Sequence, residues 1–329
     1  MRWLASVLGA LVLLSLSAAG EGVEVDELLA ASRLKLGVGD RMQVRVGRRW
    51  ISQPAEALEM DLDLDLFELW LPRGWKDDWV ERSDLLDLAA KGITPVVVHY
   101  YFGDEISRER VETSSDEWFS SMWRMASLIR MDAPVLVVLE PEFNNAPPNG
   151  ETAITSWPWF GDDLRSAAKM IRRVAPNALV GVCPGDFAGT PNLEAILGPV
   201  TNDLDFLAFQ EMRASTDRSA RRAGYLDVAG AAVDYARYLK RAFDLPILIA
   251  YVAVSSHGGW EQRQAETLRG FGRRRRALRE AGVFGLVYFQ LRDDPRHHGY
   301  FGAAERSFGL LRADGTAKPA LTAFRALRR

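Results

Sequence analysis

Cysteine is nearly absent from this 329-residue chain, and Cys183 is the only one. A single thiol can form no internal disulfide and cannot supply a thiolate-rich metal site. It ends the apolar run Ala178-Leu-Val-Gly-Val-Cys183 and reads as a small buried hydrophobe. Histidine is scarce too, with His99, His257, His297 and His298 making four and no HExxH pair among them. Charge of one sign is also lacking. A net of −3 speaks against nucleic acid as a partner, because phosphate binding needs a basic face. The run Arg273 to Arg276 falls inside a helical pattern ending at Glu280-Ala-Gly282 and reads as a solvated helix face. Gly37-Val-Gly39 has no third glycine, Gly181-Val-Cys-Pro-Gly185 has no phosphate-loop lysine, and no serine sits in a GxSxG elbow. No nucleotide cofactor or serine-hydrolase triad is indicated, and no cofactor is expected. Internal repeats, heptads and low-complexity segments are missing as well.

Only one long apolar run occurs. Arg2, the run Trp3 to Leu16 and the small residues Ser17, Ala18, Ala19 and Gly20 have the pattern of a secretory signal peptide cleaved near Ala19. No other stretch approaches roughly 18 continuous apolar residues. The expectation is a leader over 1–19, one domain over 20–329, no membrane span in the mature part, and a secreted or periplasmic destination. No cysteine near the cleavage point invites a lipid. With 48% hydrophobic residues, the remainder can bury one large core, and its length suits a (β/α)8 barrel of roughly 250 residues plus insertions.

Short β-rich runs then alternate with longer helical patterns, the mark of a parallel α/β fold. Strands are expected near Leu34–Val38, Leu64–Leu71, Thr94–Tyr100, Val135–Leu139, Leu179–Cys183, Asp205–Phe209, Pro246–Tyr251 and Phe284–Phe289. Helical patterns include Asp116–Ile129, Asp162–Val174, Val228–Phe243 and Glu261–Ala281. Eight strands with helices between them favour a closed single (β/α)8 TIM barrel over an open sheet. Arg41 to Leu58 gives no clean helix and has room for a strand or hairpin of its own.

In such a barrel the chemistry sits where strands end at the C-terminal rim. The fourth strand, Val135 to Leu139, runs straight into Glu140-Pro-Glu142-Phe-Asn144-Asn145. Glycoside hydrolysis needs two carboxyl groups flanking the scissile bond, and Glu142 is the best first member. The Glu142-Phe-Asn144 ending, the loop Asn145–Phe160, and the closing passage from Phe308-Gly-Leu-Leu through Asp314-Gly315 to Lys318-Pro319-Ala320 resemble clan-A glycoside hydrolases. The nearest motif is that of the β-mannanase-like branch. The resemblance implies a TIM barrel acting on an oligosaccharide or polysaccharide, with Glu142 as acid/base. It also implies a glutamate ending the seventh strand, where Pro246-Ile-Leu-Ile-Ala-Tyr251 has tyrosine instead. A tyrosine nucleophile would need a base, since its pKa is ordinarily about 10; otherwise Tyr251 orients a carboxylate or a sugar hydroxyl.

A second carboxylate must then come from elsewhere on the rim. Glu211 is preferred, because Asp205-Phe-Leu-Ala-Phe-Gln210-Glu211 reads as a strand ending in a polar pair. Asp293 and Asp294 follow the eighth strand. Glu140 would share a side of its strand with Glu142 by alternation and could raise its pKa. A salt bridge or helix cap explains each of these as readily. His99 and Asn144 are candidate positioning groups, with Gln210 and Trp70 as further sugar contacts.

The run Asp61-Leu-Asp63-Leu-Asp65-Leu-Phe-Glu68-Leu-Trp70 fits neither a chitinase-like motif nor an EF-hand loop. It reads as a second strand with Glu68 and Trp70 near the rim and the aspartates at the far end. Trp70, Trp75, Trp79, Trp157 and Trp159, with Tyr100, Tyr101, Tyr300 and Phe301, fall at strand ends or in loops where rings could stack on sugars. Trp118 and Trp123, at helical spacing, read as core. Two other functions stay open: a carbohydrate-binding barrel without catalysis, and a metal-dependent esterase or deacetylase using His297, His298 and nearby aspartates.

Overall fold

The computed structural model describes residues 21–46, 49–103, 106–144, 159–185, 193–220 and 226–328. The expected leader over 1–19, Trp157 and the side chain of Trp159 lie outside the described set.

The described residues form ten strands: β1 (Lys35–Asp40), β2 (Gln43–Val46), β3 (Arg49–Ser52), β4 (Leu66–Pro72), β5 (Thr94–Tyr100), β6 (Val135–Leu139), β7 (Ala178–Val182), β8 (Phe206–Arg213), β9 (Ile247–Val254) and β10 (Val283–Tyr288). All but β2 and β3 form a closed parallel barrel in sequential order, β10 pairing back onto β1. This is the single (β/α)8 barrel that the alternating pattern predicts. The β2–β3 hairpin, with Val44 opposite Ile51, occupies the unassigned first unit. A helix over Gln53–Glu59 follows it, capped where Ser52 accepts from the Ala55 amide.

Each strand divides its residues between two cores, because successive side chains point to opposite faces. From β4, Phe67, Leu69 and Leu71 pack outward against the helices, while Leu66 and Trp70 join Val96, Val98, Leu136, Val138, Phe206 and Phe284 in the lumen. Gly39 is required where β1 crosses β4, since a Cβ there would lie 2.2 Å from the Glu68 carbonyl oxygen. The helix Glu21–Leu29 packs Val25, Leu28 and Leu29 against the lumen residues. Lys35, at the start of β1, donates to the carbonyls of Glu27 and Ala30 and fastens that helix to the N-terminal end.

The expected helix Val228–Phe243 has those bounds. Glu261–Ala281 instead divides at Arg274 into Glu261–Arg273 and Arg275–Glu280. Gly270 and Gly272 in the last turn of the first piece weaken it as a continuous helix.

Candidate active site at the barrel mouth

β6 ends at Leu139, and both Glu140 and Glu142 have left-handed backbones, with φ of 45° and 60°. Strand alternation therefore does not carry past Leu139, and the two acids part company. Glu140 turns toward the helix Arg108–Ile129, where Oε1 accepts from Trp118 Nε1 at 2.6 Å and lies 3.3 Å from His99 Nδ1. Its Oε2 accepts from the Phe102 amide at 3.2 Å. His99 faces the same layer, because Val96 and Val98 take the lumen side of β5, and its Nε2 bonds Ser121 Oγ at 2.9 Å. Both groups are buried. The shared strand side expected for Glu140 and Glu142 is thus corrected: Glu140, held by His99 and Trp118, braces the strand end against its helix.

Glu142 stays at the mouth. Its amide donates to the Cys183 carbonyl at 2.8 Å, its side chain is half-buried, and its carboxylate acts electrostatically on Tyr251 and Cys183. Burial pushes the Tyr251 hydroxyl and the Cys183 thiol well above their usual ranges, and the Glu142 charge pushes both further. Tyr251 is therefore held protonated, which suits a hydrogen-bonding group and opposes a nucleophile. Asn144 closes a reciprocal pair with Gly185, accepting from its amide at 2.6 Å and donating to its carbonyl at 3.0 Å. That pair ties the loop after β6 to the one after β7 and fixes the backbone carrying Glu142.

Aromatic rings line the lumen beside Glu142. The Trp70 ring meets Tyr251 at 5.1 Å, Tyr100 at 5.4 Å and Phe289 at 6.0 Å, all edge-on. Below them, Trp70 Nε1 donates to Glu68 Oε1 at 2.8 Å. Burial drives the Glu68 carboxyl well above the usual carboxylate range, and the nearby Asp40 charge adds to the effect. A register shift between β8 and β9 pairs Gln210 with Tyr251, both on the lumen side.

The next pair in that ladder is Glu211 with Val252, whose side chain belongs to the outer core. Glu211 accordingly faces away from the lumen and pairs with Arg213 at 2.8 Å. Its expected partnership with Glu142 fails for this reason of parity. Asp293 is also corrected: its Oδ1 accepts from Lys318 Nζ at 2.7 Å and from the Gly309 amide at 2.8 Å. The carboxylate anchors the C-terminal segment. Asp294 is held by Arg41 at 3.1 Å and by the Arg296 amide at 2.9 Å.

The histidine-based metal reading finds no geometry. His297 lies 3.3 Å from the Arg41 guanidinium and 3.3 Å from Glu305, His298 is exposed, and no cluster of three possible ligands occurs among the described residues. Of the expected aromatic rim, Trp75 is buried beneath the Arg124 guanidinium and Tyr101 donates to Glu117. Tyr300 is 80% exposed, and Trp123, expected in the core, is 57% exposed. The lumen place of Cys183 and the depth of Glu68 were overlooked in the sequence. Counting alternate positions from Gly181 and from Leu66 would have found both.

No protein-family model matches the chain, and no curated protein matches it. Solved structures do. A GH5_18 protein from Streptomyces cattleya, in complex with GlcNAc, aligns with a TM-score of 0.63 at 16% identity over 90% of this chain and 80% of that one. A family 39 glycoside hydrolase from Bacteroides cellulosilyticus WH2 gives 0.54 at 15% identity over 90% and 64%. An exo-beta-1,4-mannosidase from Opitutaceae bacterium strain TAV5 gives 0.58 at 17% identity over 90% and 59%. At these identities the likeness is one of fold. No helix among the described residues is long and apolar enough to cross a membrane.

Proposed function

We propose that the chain is an exported glycoside hydrolase acting on an oligosaccharide or polysaccharide, with Glu142 as its general acid/base. One observation carries this reading: a carboxylate at the C-terminal mouth, in electrostatic reach of a buried tyrosine, beside a lumen ringed by Trp70, Tyr100, Tyr251 and Phe289. Flat apolar rings and a proton-transfer group are what a glycosidic bond needs from a site. The likeness in fold to a GH5_18 protein holding GlcNAc and to a mannosidase supports sugar as the ligand class. Export rests on the leader pattern over 1–19, and the single domain on the barrel that follows it.

The chemistry differs from the two-glutamate scheme. Tyr251 stands protonated where the resemblance implies a nucleophile, and Glu211 is turned outward. Among the described residues, Glu68 is a further carboxyl on the lumen face of a strand. The missing seventh-strand carboxylate favours a second reading, a barrel that binds glycans without cleaving them. Reducing-sugar release from a polysaccharide panel, with Glu142→Gln beside the parent, separates the two. Release lost in the variant supports the hydrolase, and glycan binding by both proteins without release supports the binding barrel.

A further inference from the structure

The lumen beneath the aromatic rings holds polar atoms that make no hydrogen bond among the described residues. Glu68 and Gln210 are almost wholly buried, on strands β4 and β8. Glu68 aligns with Gly39 and Val96, and Gln210 with Tyr251, so both belong to the lumen face. Glu68 Oε2 and both amide atoms of Gln210 make no hydrogen bond among the described residues. Buried polar atoms are normally satisfied, and three left open in one lumen mark a place where a ligand supplies the partners.

Charge narrows that ligand. The groups acting on Tyr251 are Glu142, Cys183, Tyr100 and Glu68, those acting on Cys183 are Glu142 and Glu68, and the charge acting on Glu68 is that of Asp40. Every one is an acid. Arg41 is committed to Asp40 at 3.0 Å and to Asp294 at 3.1 Å.

Resting on the glycosidase reading of this mouth, we propose that Glu68 and Gln210 are specificity-determining residues on the floor of the lumen, and that the sugar they hold is an uncharged pyranose rather than a uronic acid. An amide offers two donors and an acceptor, and a carboxyl whose protonated form is favoured by burial adds an acceptor and, when protonated, a donor, which suits hydroxyl groups that both give and take. A uronate would bring a second negative charge close to Glu142, where, among the described residues, the Arg41 guanidinium is already paired with Asp40 and Asp294.

The test is calorimetric titration of the full-length mature protein with mannotriose, chitotriose and trimannuronate at neutral pH. At least one neutral trisaccharide is expected to bind about tenfold or more tightly than trimannuronate. Gln210→Leu and Glu68→Leu should each weaken that binding by about tenfold, while Glu68→Gln, which keeps a donor and an acceptor, stays within about threefold. Gln210→Lys should move the ratio toward trimannuronate, a gain that misfolding cannot produce. Equal or tighter binding of trimannuronate by the parent, or leucine variants that bind the neutral sugar unchanged, would overturn the assignment and leave the glycosidase reading standing. Failure of every sugar to bind, together with no release from polysaccharide, would overturn both.

Discussion

Trp118 donates its indole N–H to Glu140 Oε1 at 2.6 Å, joining the helix Arg108–Ile129 to the end of the fourth barrel strand. The same carboxylate also serves His99 and the Phe102 amide, so its loss would strand three buried groups. Glu140→Ala is expected to lower unfolding free energy by about 3 kcal/mol, measured by urea denaturation. Unchanged stability with lost sugar binding would return Glu140 to the site.

Glu68 makes stability depend on pH with a definite sign. Its folded pKa is raised, so between the unfolded value of about 4.3 and the folded one the unfolded chain releases a proton that the native state keeps. Native stability then falls as pH rises through that window, by up to about 1.4 kcal/mol per unit. Glu68→Gln lacks this dependence. Melting temperatures of the two proteins from acid to neutral pH should show the variant gaining on the parent, and parallel curves would contradict the burial described for Glu68.

The first strand, β6 and the helix Val228–Phe243 were legible because period and length fix them without reference to neighbours. The strand start expected near Leu64 also placed the aspartates at the far end, where Asp65 accepts from the Leu36 amide and Asp63 and Asp65 pair with Arg328. The site was less legible, for two physical reasons. Left-handed backbones at Glu140 and Glu142 interrupt the alternation that would have paired them. At Glu211, both faces of β8 are apolar, so alternation separates two sides without saying which is the lumen; the closed barrel gives Phe206 and Ala208 the lumen and Leu207 and Phe209 the helices. Gln210, one residue earlier, has the lumen place.

The buried pair of Lys318 and Asp293 fastens the C-terminal segment, with Lys318 Nζ also donating to Ser256 Oγ at 2.9 Å. Burial raises the Asp293 pKa even though Lys318 pulls it down. Lys318→Met leaves that carboxylate without its cation and should cost about 3–5 kcal/mol. Limited proteolysis should show earlier cleavage near the helix Pro319–Arg325. Equal resistance in parent and variant would mean that the pair contributes little.

Cys183 is buried, and its thiol is pushed up by burial and by Glu142. Alkylation by iodoacetamide should therefore be slow in the native protein and rapid in denaturant. Rapid native labelling would place the thiol at the surface.

The central claim is that Glu142 transfers the proton in glycoside cleavage at this mouth. Reducing-sugar release by the mature protein and by Glu142→Gln, on a panel of polysaccharides, tests it directly. The account predicts release by the parent and a loss of about a hundredfold or more in the variant, with sugar binding retained. Release that survives the substitution would contradict it.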